Sequence, residues 1–125
     1  MINILLIFFG AGLGGVLRYL VANNVYSAMG RQFPYGTLVV NVSGCFLMGI
    51  LFAFLLDRFD GWGPELRALL LIGFLGGYTT FSSFSIETLN LVENGAWLGA
   101  ASNIFFSVIL CLIATWIGLI GGRHL

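Results

Sequence analysis

The chain has 125 residues, of which 59% are hydrophobic and 8% are charged, and its formal net charge is zero. This is too little polar surface for a soluble domain, so the composition predicts an integral membrane protein. The absence of lysine and the balanced charge argue against nucleic acid as a partner. No basic leader precedes the first apolar run, so we expect no cleaved signal peptide.

Four apolar segments are long enough to cross the bilayer as helices, which takes roughly 20 residues each. The predicted spans are 2–22, 36–56, 64–92 and 96–121, and they form a single four-span membrane domain, 1–125. Because the number of spans is even, both termini are expected on the same side. The sequence therefore predicts an all-α membrane protein with four transmembrane helices per subunit.

The first span carries the small residues of Gly10–Gly15 and, near its predicted end, Arg18. Small residues allow close helix packing in a membrane. Arg18 and Glu87, near the end of the third span, are expected on the same membrane side, so we expect them to line one vestibule. Two interpretations stay open: the charges pair and attract anions, or each extends separately toward water.

The second span contains Asn41, with Ser43 close by. An asparagine in a span either bridges neighbouring helices or faces a polar pathway. Cys45 of this span and Cys111 of the fourth both lie in apolar segments. We expect free thiols that behave as small hydrophobic groups, without a disulfide framework or metal-ligand spacing.

The third span is interrupted near its centre by an unusual stretch, Gly73–Thr88, with three glycines and a run of Thr and Ser. Glycine and hydroxyl residues both weaken a helix. We therefore predict a broken helix, with the break at Gly76–Thr80. Irregular backbone at membrane depth must be buried in protein or line a polar cavity, so this stretch is the candidate site.

Aromatic rings and hydrogen-bond donors follow the predicted break. Phe81 and Phe84 share one helix face, and ring edges carry partial positive charge. A half-helix that restarts here would add its positive dipole end. The candidate donors beside the rings are the hydroxyls of Thr79, Thr80, Ser82 and Ser83. This combination predicts a pathway for a small anion, although a Phe pair at this spacing is also typical of core packing.

The fourth span places Asn103, Ser107, Cys111 and Thr115 at every fourth position, which keeps them on one helix face. We expect a polar stripe that faces the broken helix. The alternative is local bonding to preceding carbonyls and ordinary bridging between helices.

The arginines near the span ends give a weak orientation signal. Three are expected on the side of the termini and two on the other, so the bias is only one charge: Arg58, Arg67 and Arg123 against Arg18 and Arg31. So small a bias predicts either a single orientation or copies inserted both ways. The second outcome would allow an antiparallel homodimer.

Three motifs together resemble the CrcB/Fluc family of microbial fluoride channels. They are G-x-x-G-G-x-T-T-F-S-x-F-x-x-E over Gly73–Glu87, G-T-L-x-x-N ending at Asn41, and G-G-x-x-R-Y containing Arg18. The resemblance covers the whole chain. It implies an antiparallel, dual-topology homodimer in the cell inner (plasma) membrane that exports fluoride passively through two pathways and so lowers cytoplasmic fluoride.

The resemblance also implies roles for individual residues. Phe81 and Phe84 would flank the fluoride pathway, and Asn41 would reach toward it. Hydroxyls of the third and fourth spans, including Ser107, would form a polar track. Asn103 and Cys111 stand where the family often has tyrosine and serine. Backbone carbonyls would hold a structural sodium ion at the dimer centre, namely those of Gly76 and Thr79 of each subunit.

Three other classes fit the sequence less well. A small dual-topology, proton-coupled multidrug exporter has a similar size but needs a carboxylate deep in the membrane, and Glu87 is predicted near a span end. A purely structural subunit would not need the broken helix. An enzyme is disfavoured because the chain shows no nucleophile and base pair or metal cluster, and its single histidine is His124.

Overall fold

The computed structural model describes residues 1–58 and 63–125, and this part of the chain is almost entirely helical. The elements are α1 (Ile2–Met29), α2 (Tyr35–Arg58), α3 (Gly63–Leu66), a π-helical segment (Arg67–Leu75), α4 (Gly76–Tyr78), α5 (Phe81–Glu93) and α6 (Trp97–Arg123). Four stretches are long and apolar enough to cross a membrane: Ile2–Met29, Tyr35–Leu55, Gly63–Glu93 and Trp97–Arg123. The prediction of an all-α protein with four spans is confirmed.

The first helix is longer than the sequence pattern indicates. It runs to Met29, so most of the polar connection expected from Asn23 onward is helical. Helix α1 ends at Met29 and is followed by the C-cap residue Gly30, whose φ of 84° lies in the left-handed region that favours glycine. The reason for the extension is tertiary, because Tyr26 in the added turns packs against Gly36 at the start of α2.

The predicted loop between the second and third spans falls partly on residues 59–62, which lie outside the described residues. The side chain of Arg58, one of the arginines that set the orientation count, also lies outside them.

Two pairs of helices pack at backbone contact, because glycine at the crossing leaves no side chain between them. In the first pair, α1 lies against the third span: a Cβ on Gly14 would come 2.0 Å from the carbonyl oxygen of Phe74. In the second pair, α2 lies against α6: a Cβ on Gly49 would come 2.2 Å from the carbonyl oxygen of Thr115. These close approaches hold α1 against the third span and α2 against α6.

A buried apolar cluster fills the space between the first three spans. Its members are Val40, Leu55, Leu71, Leu75 and Tyr78. Large apolar side chains on the outer faces of α1 and α6, such as Phe8 and Trp116, are exposed, as expected for helices that contact lipid. Among the described residues, the buried polar side chains of the spans are those of Thr37, Thr88, Asn103 and Ser107.

The third span breaks at Thr79 and Thr80, whose backbone is extended, with φ/ψ of −79°/157° and −149°/122°. The prediction that the break begins at Gly76 was wrong in this detail. Gly76 and Tyr78 delimit a short helical turn, and Gly76 itself has helical φ/ψ of −62°/−37°. Glycine is used here for close packing instead: a Cβ on Gly77 would come 2.5 Å from the carbonyl oxygen of Ala11. The nine-residue π-helical segment before the break is wider than an α-helix, a feature often found near functional sites.

Candidate ion pathway

Asn41 holds the broken segment through a pair of hydrogen bonds to one residue. Its Nδ2 donates to the carbonyl oxygen of Thr80 at 2.9 Å, and its Oδ1 accepts from the Thr80 N–H at 2.8 Å. The Thr80 N–H has no helical acceptor, because the backbone is extended at Thr79, and the asparagine amide supplies one. Asn41 thus contacts the break directly, and both polar atoms of its amide are engaged by Thr80.

Thr80 also begins the helix that follows. As the N-cap of α5, its hydroxyl accepts from the Ser83 N–H at 3.2 Å and lies 3.4 Å from the Ser82 hydroxyl. Helix α5 therefore restarts at Phe81, as predicted, and its positive dipole end lies at the break. Ser82 is exposed, whereas Ser83 is half-buried.

The break leaves carbonyl groups without their usual helical partners. The Gly77 carbonyl oxygen accepts from Nε of Arg18 at 3.2 Å. The Thr79 N–H and hydroxyl both donate to the Leu75 carbonyl oxygen at 3.0 Å. Gly76 begins the short turn α4 and Thr79 follows its end, where the backbone becomes extended. Their carbonyl oxygens are the ones predicted to bind sodium.

Phe81 and Phe84 lie together at the start of α5, with ring centroids 5.3 Å apart and planes tilted by 47°. Phe81 is 76% exposed, whereas Phe84 is half-buried. Both rings line a cavity of about 350 Å³ together with Asn41, Thr79, Thr80 and Ser107. The structure therefore brings the predicted aromatic pair, asparagine and hydroxyls to one surface.

Two residues of the polar stripe of α6 differ in their surroundings: Ser107 lies in the wall of the cavity and Asn103 lies in the protein interior. Ser107 lines the cavity, and its hydroxyl donates to Oδ1 of Asn103 at 3.3 Å. Asn103 is only 2% exposed, and its Nδ2 donates to the Thr88 hydroxyl at 2.9 Å. Thr88 in turn donates to the Phe84 carbonyl oxygen at 2.7 Å. This series of bonds ties α6 to the turn that carries Phe84.

Arg18 and Glu87 line one cavity of about 360 Å³, which also contains Thr80 and Ser83. Among the described residues the two charges do not pair, since Arg18 donates to Gly77 and Glu87 accepts from hydroxyl groups. Because α1 continues to Met29, Arg18 also lies well inside its helix, beside the break, instead of near the helix end. The two residues line one cavity but contact different partners, and its role as a vestibule stays a prediction.

Glu87 is held by two residues that the sequence analysis did not single out. The Tyr26 hydroxyl donates to Oε2 at 2.6 Å, and the Thr37 hydroxyl donates to Oε1 at 2.6 Å. Both oxygens of the carboxylate are therefore satisfied by short bonds. Tyr26 and Glu87 also line a second cavity of about 380 Å³, where the Arg31 guanidinium lies 4.7 Å from the centre of the Tyr26 ring. Tyr26 was missed because it falls in a stretch expected to be a connection.

Comparison with known proteins places the chain in a family. The family model described as "CrcB-like protein, Camphor Resistance (CrcB)" matches residues 5–119. The chain belongs to the CrcB family. This confirms the resemblance drawn from the three motifs, and the match extends from α1 into the last turns of α6.

Individual CrcB relatives are similar along almost the whole chain. A protein of Coxiella burnetii (strain Dugway 5J108-111), named fluoride-specific ion channel FluC, is 60% identical over 123 residues, or 98% of this chain and 99% of that protein. A protein of the same name from Geobacter metallireducens is 54% identical over 117 residues, 94% of this chain and 93% of that protein. A third, from Methylococcus capsulatus, is 51% identical over 116 residues, which are 93% of this chain but 50% of that protein.

Proposed function

We propose that this CrcB protein is a fluoride-selective channel that lets fluoride leave the cell passively through the inner membrane and so lowers its cytoplasmic concentration. The observation that carries the proposal is the position of Phe81 and Phe84, at the N-terminus of a half-helix and in one cavity with Asn41, Thr80 and Ser107. The names of the FluC relatives support the choice of fluoride as the ion.

The chemistry of the cavity suits a small, strongly hydrated anion. Such an ion crosses a membrane only if fixed donors replace its water without trapping it. Here the donors are neutral: hydroxyl groups, the dipole end of α5 and the positive edges of the phenyl rings. Arg18 lies in the adjoining vestibule and donates to Gly77, so its charge attracts anions toward the break without forming part of the wall beside the rings.

The open side of the cavity supports an antiparallel homodimer. A single copy leaves the hydroxyl residue Ser82 exposed beside Phe81 within a membrane span, where lipid offers a polar group no partner. A second copy of the chain, inserted in the opposite direction, would cover this face and form two pathways along the interface. The near-equal distribution of arginine between the two sides favours both insertions. Labelling of a C-terminal tag from each side of intact vesicles tests this, and a tag reached from one side only would exclude it.

The break also supports the sodium site. Carbonyl oxygens of unwound helix are known ligands for sodium in membrane proteins. In this chain Gly76 and Thr79 bound the last turn before the break, where the helical hydrogen-bond pattern ends at the extended backbone of Thr79. An antiparallel partner would bring a second pair of oxygens to the centre. Replacing sodium by a large organic cation should weaken the dimer on size-exclusion chromatography, and an unchanged dimer would count against the site.

Ion release from liposomes tests the proposed function. Purified protein is reconstituted into liposomes loaded with potassium fluoride or potassium chloride, and valinomycin is added so that potassium can follow the anion. The proposal predicts rapid release of fluoride and release of chloride no faster than from protein-free liposomes. Equal release of the two anions would refute fluoride selectivity.

A further inference from the structure

The two cysteines of the chain, far apart in sequence, meet in the wall of the cavity that contains Phe81 and Phe84. Cys45 of α2 and Cys111 of α6 both line it. Both thiols are free and half-buried. The close crossing of α2 and α6 at Gly49 holds the two cysteines on facing helix surfaces, so their proximity is built into the fold.

A third sulfur lies in the same cavity. Met48 is one helical turn from Cys45 and also lines the cavity. Thiolate and thioether groups are soft ligands, which favour soft metal ions over hard ones such as sodium or magnesium. We propose that Cys45 and Cys111 form a two-thiol binding site for a soft metal cation of linear coordination, and that an ion bound there obstructs the anion pathway.

The position of the site in the membrane favours a divalent soft ion. When mercury(II) chloride reacts with the two thiols, two S–Hg bonds form, two S–H and two Hg–Cl bonds break, and two protons and two chloride ions leave. No electron is transferred. The S–Hg–S product is neutral, so it adds no net charge to a region of low dielectric constant. Two thiolates on a monovalent ion would instead leave one negative charge there.

Obstruction follows from where the sulfurs lie. The cavity of about 350 Å³ that they line also contains Asn41, Thr80 and Ser107, so a metal between Cys45 and Cys111 occupies the space beside the proposed fluoride track. This second step rests on the proposed function, whereas binding of the metal does not. The two steps therefore have separate measurements.

Binding is measured on the purified, freshly reduced and desalted protein. Mercury(II) chloride is titrated while the ultraviolet absorption of the mercury–thiolate bond is followed, and glutathione is then added as a competitor. We expect one mercury ion per chain. In C45S and in C111S the glutathione concentration that removes half of the metal should fall roughly tenfold or more, since the second thiol is lost. M48L, which keeps both thiols, serves as the matched control and should still bind one ion. Two mercury ions per chain, or equal retention by the single-thiol variants, would overturn the site.

Obstruction is measured as fluoride release from liposomes, with each protein compared with its own untreated rate. Mercury should stop release by the unchanged chain and leave the C45S/C111S double variant at its untreated rate. Binding of one mercury ion per chain with no loss of fluoride release would overturn the placement of the site in the pathway. Absence of fluoride release before mercury is added would instead contradict the proposed function and leave the binding result unaffected.

Discussion

Asn41 and Thr80 are joined by two hydrogen bonds, one from the amide to the carbonyl oxygen of Thr80 and one from the Thr80 N–H to the amide. The contact links the second span to the break in the third span. An interrupted membrane helix leaves backbone groups without partners, which costs free energy where water is absent. Asn41 supplies the acceptor that the Thr80 N–H would otherwise lack.

Replacing Asn41 by leucine should therefore destabilise the protein by about 1–3 kcal/mol, since the Thr80 N–H loses its partner and the Thr80 carbonyl loses one donor. Asn41→Asp keeps an acceptor for the Thr80 N–H, so its free energy of unfolding should lie between those of the leucine variant and the unchanged chain. The measurement is reversible unfolding in mixed micelles. Asn24→Leu, at an exposed position of α1, is the control and should change little. Equal effects at positions 41 and 24 would show that the two bonds contribute nothing.

Phe81→Ile or Phe84→Ile should lower fluoride release sharply while the protein still assembles. Isoleucine keeps an apolar side chain but removes the positive ring edge, and a loss of about 1.4 kcal/mol corresponds to roughly a tenfold lower rate. Release from liposomes and size-exclusion chromatography measure the two properties. Phe8→Ile, on the exposed outer face of α1, should leave release unchanged. Normal release from both pathway variants would refute the ring-edge role.

Arg18 and Glu87 should contribute to stability independently of each other. A double-mutant cycle between Arg18→Met and Glu87→Met should give a coupling below about 0.5 kcal/mol, because the two side chains have different partners. The cycle between Tyr26→Phe and Glu87→Met should give about 1–2 kcal/mol, because a short bond to a charged group is lost. Stability in mixed micelles is the readout. Strong coupling between positions 18 and 87 would restore the paired interpretation.

The glycines of α1 allow a matched test of helix packing. A Cβ on Gly14 would come 2.0 Å from the Phe74 carbonyl oxygen, whereas a Cβ on Gly12 would meet nothing within 4 Å. Gly14→Ala should therefore destabilise by about 1–3 kcal/mol, because the backbones of the two spans must separate. Gly12→Ala should be neutral or slightly stabilising, since alanine favours the helix. Equal unfolding free energies for the two variants would contradict this packing.

The sequence is sufficient to predict features that depend on local pattern. Hydrophobic length identifies the four spans, and the cluster of glycine and hydroxyl residues identifies the broken helix. The motif around Phe81 and Phe84 identifies the family. The position of the break differs from the prediction because Gly76 is helical and Gly77 serves packing against α1, a tertiary role that glycine content alone does not distinguish.

Contacts between distant residues were the part that the sequence did not reveal. Arg18 and Glu87 each have the chemistry to pair, and only the fold shows that Arg18 reaches Gly77 while Tyr26 and Thr37 hold Glu87. Similarly, Asn103 stands in a polar stripe, yet it is buried against Thr88. Cys45 and Cys111 show no metal-ligand spacing along the chain, but the crossing of α2 and α6 places both in the wall of one cavity.

The central claim is passive conduction of fluoride, and the most direct test is the initial rate of fluoride release from liposomes loaded with potassium fluoride, with valinomycin present so that potassium balances the charge, at equal pH on both sides, with and without a protonophore. A channel needs no proton gradient, so the rate should be the same in both conditions and far above that of protein-free liposomes. A rate that depends on an imposed proton gradient would contradict the channel and favour a proton-coupled exporter.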